Sequence, residues 1–222
     1  MSAIDAESAR ISQREAIRAG ATLNPYILMN VLAAVIASYG LLENSPAVVI
    51  GAMIIAMLLG PIAGTALSLV DGDNQALLKS LVALSAGILV VLATGLVIGF
   101  IHRDIPVTDE ITARTTPNLI DLMIAFAGGA AGAYATVSSR LSVAFVGVAI
   151  ATALVPPICS GSILFAHGSL ESGIGAYLLA FTNIVAIQIA FSVVLWLKGF
   201  RQVSEVAGLN VLDFFGETSS AS

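Results

Sequence analysis

Charge is scarce in this chain. Of 222 residues only 10% are Asp, Glu, Lys or Arg, against roughly a quarter in a soluble domain, so a water-exposed surface of ordinary extent cannot be built from it. A single cysteine, Cys159, excludes an intramolecular disulfide and leaves the redox compartment unread. The two histidines, His102 and His167, stand far apart, and no H-E-x-x-H, G-x-S-x-G or phosphate-loop pattern occurs. No metal site, cofactor or catalytic constellation is therefore expected, and the chain is not read as an enzyme. The nine basic residues form no stripe, which excludes nucleic acid as a partner. The first twenty residues carry no apolar core of the secretory type, so no cleaved leader is expected.

Apolar residues take up the difference. They make up 58% of the chain, and the mean hydropathy is +0.98. About twenty apolar residues are needed to cross a bilayer as a helix. Six runs approach or exceed that length, at residues 25–42, 46–70, 81–101, 119–137, 141–166 and 174–197. Lipid offers no partner to backbone N–H and C=O groups, so such runs must be helical. The reading is an all-α integral membrane protein of six transmembrane helices. An N-terminal segment (1–24) precedes a first membrane repeat (25–101), a loop (102–118), a second membrane repeat (119–197) and a tail (198–222). The stretches 3–19 and 203–215 are read either as surface helices or as solvated tails.

Positive residues orient the bundle. With six spans both tails share a side, which holds Arg10, Arg14, Arg18, Lys79, Arg140, Lys198 and Arg201, while the other holds only Arg103 and Arg114. Both termini are expected in the cytoplasm, with 102–118 outside.

Sliding the chain against itself by 96 residues lays 50–62 (IGAMIIAMLLGPI) on 146–158 (VGVAIATALVPPI), with Gly51 on Gly147, Ile54 on Ile150, Leu58 on Leu154, Pro61 on Pro157 and Ile62 on Ile158. The same offset aligns span 1 with span 4 and span 3 with span 6. Each half then has three spans, and an odd number makes the second half start from the opposite face. Inverted repeats of this kind are an architecture of secondary transporters, with the permeant site near the repeat interface.

Gly60-Pro61 and Pro156-Pro157 interrupt spans 2 and 5 at equivalent positions. Proline removes an amide donor and clashes with the preceding turn, so these spans are either kinked or broken there, with broken helices favoured by the coincidence. Thr65 follows the first break and Ser160 the second, and span 6 supplies Thr182 and Asn183 near mid-depth. Gly60, Pro61, Thr65, Pro156, Pro157, Ser160, Thr182 and Asn183 are the candidate substrate-binding residues. In span 4, Gly128 and Gly132 form G-x-x-x-G beside a ridge of Ala125, Gly129 and Ala133; Gly95 and Gly99 make a similar face in span 3. Such faces let helix backbones touch. Asp121 is the one ionisable residue within a span. It either caps its helix or pairs with Arg114, or it couples transport to a proton or sodium ion.

The segments 37–62 (ASYGLLENSPAVVIGAMIIAMLLGPI), 114–135 (RTTPNLIDLMIAFAGGAAGAYA) and 147–158 (GVAIATALVPPI) resemble the bacterial membrane family known as domain of unknown function 389, an uncharacterised hydrophobic domain. The resemblance spans roughly residues 20–200. The positions matching the family pattern are Gly51, Ala52, Met53, Gly60, Pro61, Arg114, Pro117, Asp121, Gly147, Pro156 and Pro157; Met57 departs from it, standing where relatives often have proline. The resemblance implies a bacterial cytoplasmic (inner) membrane protein and supplies no activity.

The leading expectation is a small-solute secondary transporter or channel, assembled as a homo-oligomer in the lipid bilayer. The alternative is a membrane sensor or assembly subunit that transports nothing. A small anion is one expected ligand, because two new helix starts would direct amide dipoles at the breaks and no Asp or Glu lies near them in sequence; the alternative is a neutral cavity whose amides are satisfied by hydroxyls or ordered water.

Overall fold

The computed structural model describes residues 23–138 and 143–200, with the side chains of 23, 24 and 143–153 excepted. The tail stretches 3–19 and 203–215 lie outside the described residues. The described chain is all helical, without strands: α1 (Leu23–Leu42), α2 (Pro46–Ile55), α3 (Leu59–Asp71), α4 (Asn74–Ile101), α5 (Asp109–Thr112), α6 (Leu119–Val137), α7 (Val143–Ala166) and α8 (Leu170–Leu197). Four of these, α1, α4, α6 and α8, are long and apolar enough to cross a membrane, and the bent pair α2–α3 makes a fifth. α7 runs for 24 residues.

Local chemistry sets the boundaries. Gly72 ends α3 with φ +71°, a left-handed conformation that a side chain rarely adopts. Asp73 then caps α4 by accepting from the amides of Gln75 and Ala76. Asn118 and Asp121 open α6 as a capping box: the Asn118 side chain accepts from the Asp121 amide at 2.9 Å, and the Asp121 carboxylate accepts from the Asn118 amide at 3.2 Å.

The interruption in span 2 is a true break, displaced from Gly60-Pro61. α2 ends at Ile55, Ala56 is extended, and α3 restarts at Leu59 with its axis turned by 56°. Pro61 sits in the first turn of α3, where its missing N–H costs nothing. Its ring would meet the carbonyl four residues back, that of Met57, and so the chain leaves helical geometry one turn upstream. Span 5 is different, and here the expectation of a second broken helix is corrected: α7 continues through Pro156 and Pro157. The two prolines remove the donors for the carbonyls of residues 152 and 153 without ending the helix.

Glycine contacts hold the helices together. A methyl group at Gly95 would meet Ser162, and one at Gly99 would meet Ala166 and the Ile163 backbone, so α4 and α7 run side by side in the same direction. A methyl group at Gly129 would meet the backbone of Ile187 at 2.8 Å, which brings α6 against α8. Gly132 and Gly129 are buried while Gly128 is only half-buried. The close face is thus the ridge of Ala125, Gly129 and Ala133 together with Gly132, rather than the Gly128–Gly132 pair alone. α1 packs on α2, α4 and α7; α8 packs on α3, α6 and α7.

One end of the bundle is tied together by the 102–118 loop. Thr108 donates to the Leu41 carbonyl, the Glu110 amide donates to the Asn44 side chain, Arg103 Nε donates to the Ala166 carbonyl, and the His167 ring bonds the Ile105 carbonyl. The turn between α1 and α2, the end of α4 and the turn between α7 and α8 therefore share this end. The turn between α3 and α4 lies at the other end of α4, about 42 Å away at helical rise.

Candidate functional site

At the tied end, a cleft of about 300 Å³ opens between the loop, α6, α7 and α8, lined by Glu110, Ala113, Arg114, Asp121, Ile124, Pro157, Leu179 and Asn183. Four of the ten residues singled out in the sequence meet here: Arg114, Asp121, Pro157 and Asn183. They come from positions 114 to 183, and only the folding of the loop over the bundle joins them.

Each wall has a physical origin. Arg114 follows α5 by two residues and its guanidinium bridges to the Glu110 carboxylate at 2.9 Å, while also donating to the Glu110 carbonyl. The partner of Arg114 is thus Glu110, one turn earlier, and Asp121 is held instead by its capping box. The Asp121 carboxylate faces the cleft from the start of α6, with one oxygen engaged by the Asn118 amide. Asn183 enters from mid-α8 and is 4% exposed. Pro157 contributes its ring. By helix geometry the carbonyl of residue 153, deprived of its donor, lies beside that ring. The cleft holds two carboxylates, one guanidinium already paired, an amide, and apolar walls from Ile124 and Leu179.

The remaining predicted residues lie elsewhere. Gly60 and Pro61 are in the first turn of α3, and Thr65 donates to the Pro61 carbonyl at 2.8 Å, so its proton is used within its own helix. Pro156 adjoins the cleft without lining it. Ser160 is fully buried one turn beyond Pro157, and its hydroxyl has no partner among the described residues. Thr182 donates to the Leu179 carbonyl and faces a separate apolar groove between α6 and α8, with Leu122, Met123, Phe126 and Phe181.

Two contributors escaped the sequence reading. Asn30, fully buried in α1, donates to the Tyr26 carbonyl at 2.9 Å and accepts from the Met57 amide at 3.2 Å. It thereby occupies a donor at the break between α2 and α3, where amide dipoles were expected to be free for a ligand. A lone Asn within the run YILMNVLAAVI was the available signal. Glu110 was hidden in the loop, though its i,i+4 spacing to Arg114 marked a pair.

The family described as "Domain of unknown function (DUF389)" matches residues 53–189. An uncharacterized protein of Methanocaldococcus jannaschii is 34% identical over 171 residues, covering 76% of this chain and 52% of the relative. The chain thus spans about half the length of that curated relative. The relative is archaeal, so the family resemblance stands without its bacterial qualifier. No solved structure matches the chain.

Proposed function

Starting from a chain that belongs to the domain-of-unknown-function family DUF389, whose description names no activity, we propose that this protein passes a small solute across the cytoplasmic membrane through the cleft at Pro157 and Asn183. It crosses six times in two inverted repeats. Support for that topology comes from the packing. In each half the first span packs on the third and the second packs on both, and between halves α4 lies on α7 as α8 lies on α3. The α1–α2 turn and the α3–α4 turn stand at opposite ends of α4, as expected of a broken span rather than a re-entrant loop. The distribution of Lys and Arg then puts both termini in the cytoplasm and the cleft mouth outside.

The observation that carries the function is the convergence of Asp121, Arg114, Pro157 and Asn183 on one cavity beside a helix with two internal prolines. Asn183 stands buried at mid-helix, where a polar group is expensive and marks a place that a solute or water reaches, while Asp121 and Arg114 stand at the mouth. The case for an anion rested on absent acids and free amides. In the fold, Glu110 and Asp121 line the cavity, Asn30 takes an amide at the break, and the double proline frees acceptors rather than donors. The chemistry is that of a site for a small organic cation or zwitterion, its ammonium facing Asp121 and the freed carbonyls, its apolar part against Ile124 and Leu179.

Uptake into proteoliposomes over a panel of small amines, zwitterions and inorganic ions tests the proposal. An ammonium-bearing solute should accumulate, and Asn183→Leu, which removes the amide while nearly keeping the side chain's shape, should lower its uptake at least tenfold. Absence of flux for every member, with a soluble partner retained specifically by the folded protein, would favour the sensor or assembly role instead.

A further inference from the structure

The offset of 96 residues that relates the two halves carries the cleft residues Ile124, Pro157, Leu179 and Asn183 back onto Leu28, Pro61, Ala83 and Gly87. If the halves are inverted copies, a second cleft belongs at those positions, opening toward the tails. Among the described residues a phenol ring fills that space. The Tyr26 hydroxyl donates to the Ala83 carbonyl at 3.0 Å. A methyl group at Gly87 would collide with that hydroxyl and with Leu58, and Tyr26 is 2% exposed.

The two halves differ at these positions in complementary ways. Where the first half carries the large Tyr26 with the small Ala83 and Gly87, the second carries the smaller Leu122 with the larger Leu179 and Asn183. In the second half the polar side chain comes from the third helix and the volume beside it is empty. In the first half the third helix offers no side chain at all at Gly87, and the first helix fills the gap. A glycine there makes room for the ring and for Leu58.

We propose that the volume bounded by Leu58, Pro61, Ala83 and Gly87 is the second mouth of the solute pathway, and that Tyr26 is its plug. The inference rests on the transport reading above. The described conformation is then open on the loop side and closed on the tail side. Opening the tail side requires the Tyr26 hydroxyl to leave the Ala83 carbonyl and the ring to swing off Gly87, a rotamer change in the first turn of α1. A hydroxyl suits a plug of this kind, since it is satisfied by a carbonyl when seated and by water when released.

The test uses single cysteines in full-length protein lacking Cys159, in sealed vesicles of known orientation, with a membrane-impermeant maleimide. Gly87→Cys is combined with Tyr26→Leu, which installs the residue found at the equivalent position of the second half, and separately with Tyr26→Ala. With the ring gone, Cys at 87 should react from the tail face at least tenfold faster than Cys at the outward-facing Leu89 of the same helix, which lipid covers. Failure of Cys at 87 to react with both Tyr26 variants, in protein that elutes as the parent does, would overturn the proposal: the ring would then be ordinary packing over a dry cavity. Asn183→Cys in the parent separates the two ideas. If it reacts from neither face, the cleft itself is wrong, irrespective of Tyr26.

Discussion

Asn30 shows what one polar side chain accomplishes at membrane depth. Its carbonyl oxygen receives the Met57 amide where α2 has ended and α3 has not begun, and its own amide donates within α1. Replacing it with leucine conserves volume and leaves that amide without an acceptor, a loss of about 1–3 kcal/mol for a buried unsatisfied donor. Asn30→Leu should thus lower the midpoint of unfolding in mild detergent, while Leu28→Ala, on the outer surface of the same helix, leaves it nearly unchanged. A second contrast concerns the α6 ridge. Gly129 touches the backbone of Ile187, whereas Gly128 is half-buried. Gly129→Leu should prevent α6 from seating on α8 and abolish monodisperse folding, and Gly128→Leu should be far milder; size-exclusion profiles of the two variants give the comparison. Equal damage from both would mean that the helix face is misassigned.

At the scale of elements, the two proline sites share a position in the repeat and diverge in structure. Pro61 occupies the first turn of a new helix; Pro61→Ala removes the clash with the Met57 carbonyl, but the break should persist because Asn30 still holds the Met57 amide. Pro157 lies inside a continuous helix, and Pro157→Ala returns a donor to the carbonyl of residue 153. The expected result is solute uptake reduced several-fold in Pro157→Ala and close to the parent level in Pro61→Ala, at equal expression; the reverse order would move the site to the break. Apolar runs and proline positions made the helices and the interruption in span 2 legible in the sequence. The sequence could not tell which proline breaks its helix, because that depends on neighbours: α7 is clasped between α4 at Gly95 and Gly99 and α8 at Gly161 and Gly173. Arg114, Asp121, Pro157 and Asn183 were legible as polar or backbone-breaking residues in apolar surroundings. Glu110 and Asn30 were not, since the first acts through loop folding and the second through an amide 27 residues away.

On the scale of the whole molecule, everything turns on how many times the chain crosses. The 102–118 loop is bound to the ends of α1, α4 and α7, which run the same way: Tyr26 meets Ala83 near the start of α1 and α4, and Tyr39 meets His102 near their ends at 3.3 Å. α6 and α8 run the opposite way, with Gly129 against Ile187 and Lys198 over the Tyr134 ring at 4.4 Å. With three helices running one way and two the other, the α2–α3 pair decides the count: as a broken span it completes six crossings, as a re-entrant loop it does not. Side-specific labelling of single cysteines at Glu43, Asp109, Ser169, Asn74 and Lys198, all exposed positions, in sealed vesicles and without Cys159, measures this directly. Six crossings predict that 43, 109 and 169 react from one face and 74 and 198 from the other. If 43 and 74 react from the same face, α2–α3 is a re-entrant loop, the halves are not inverted copies, and the pathway through the cleft has no second mouth.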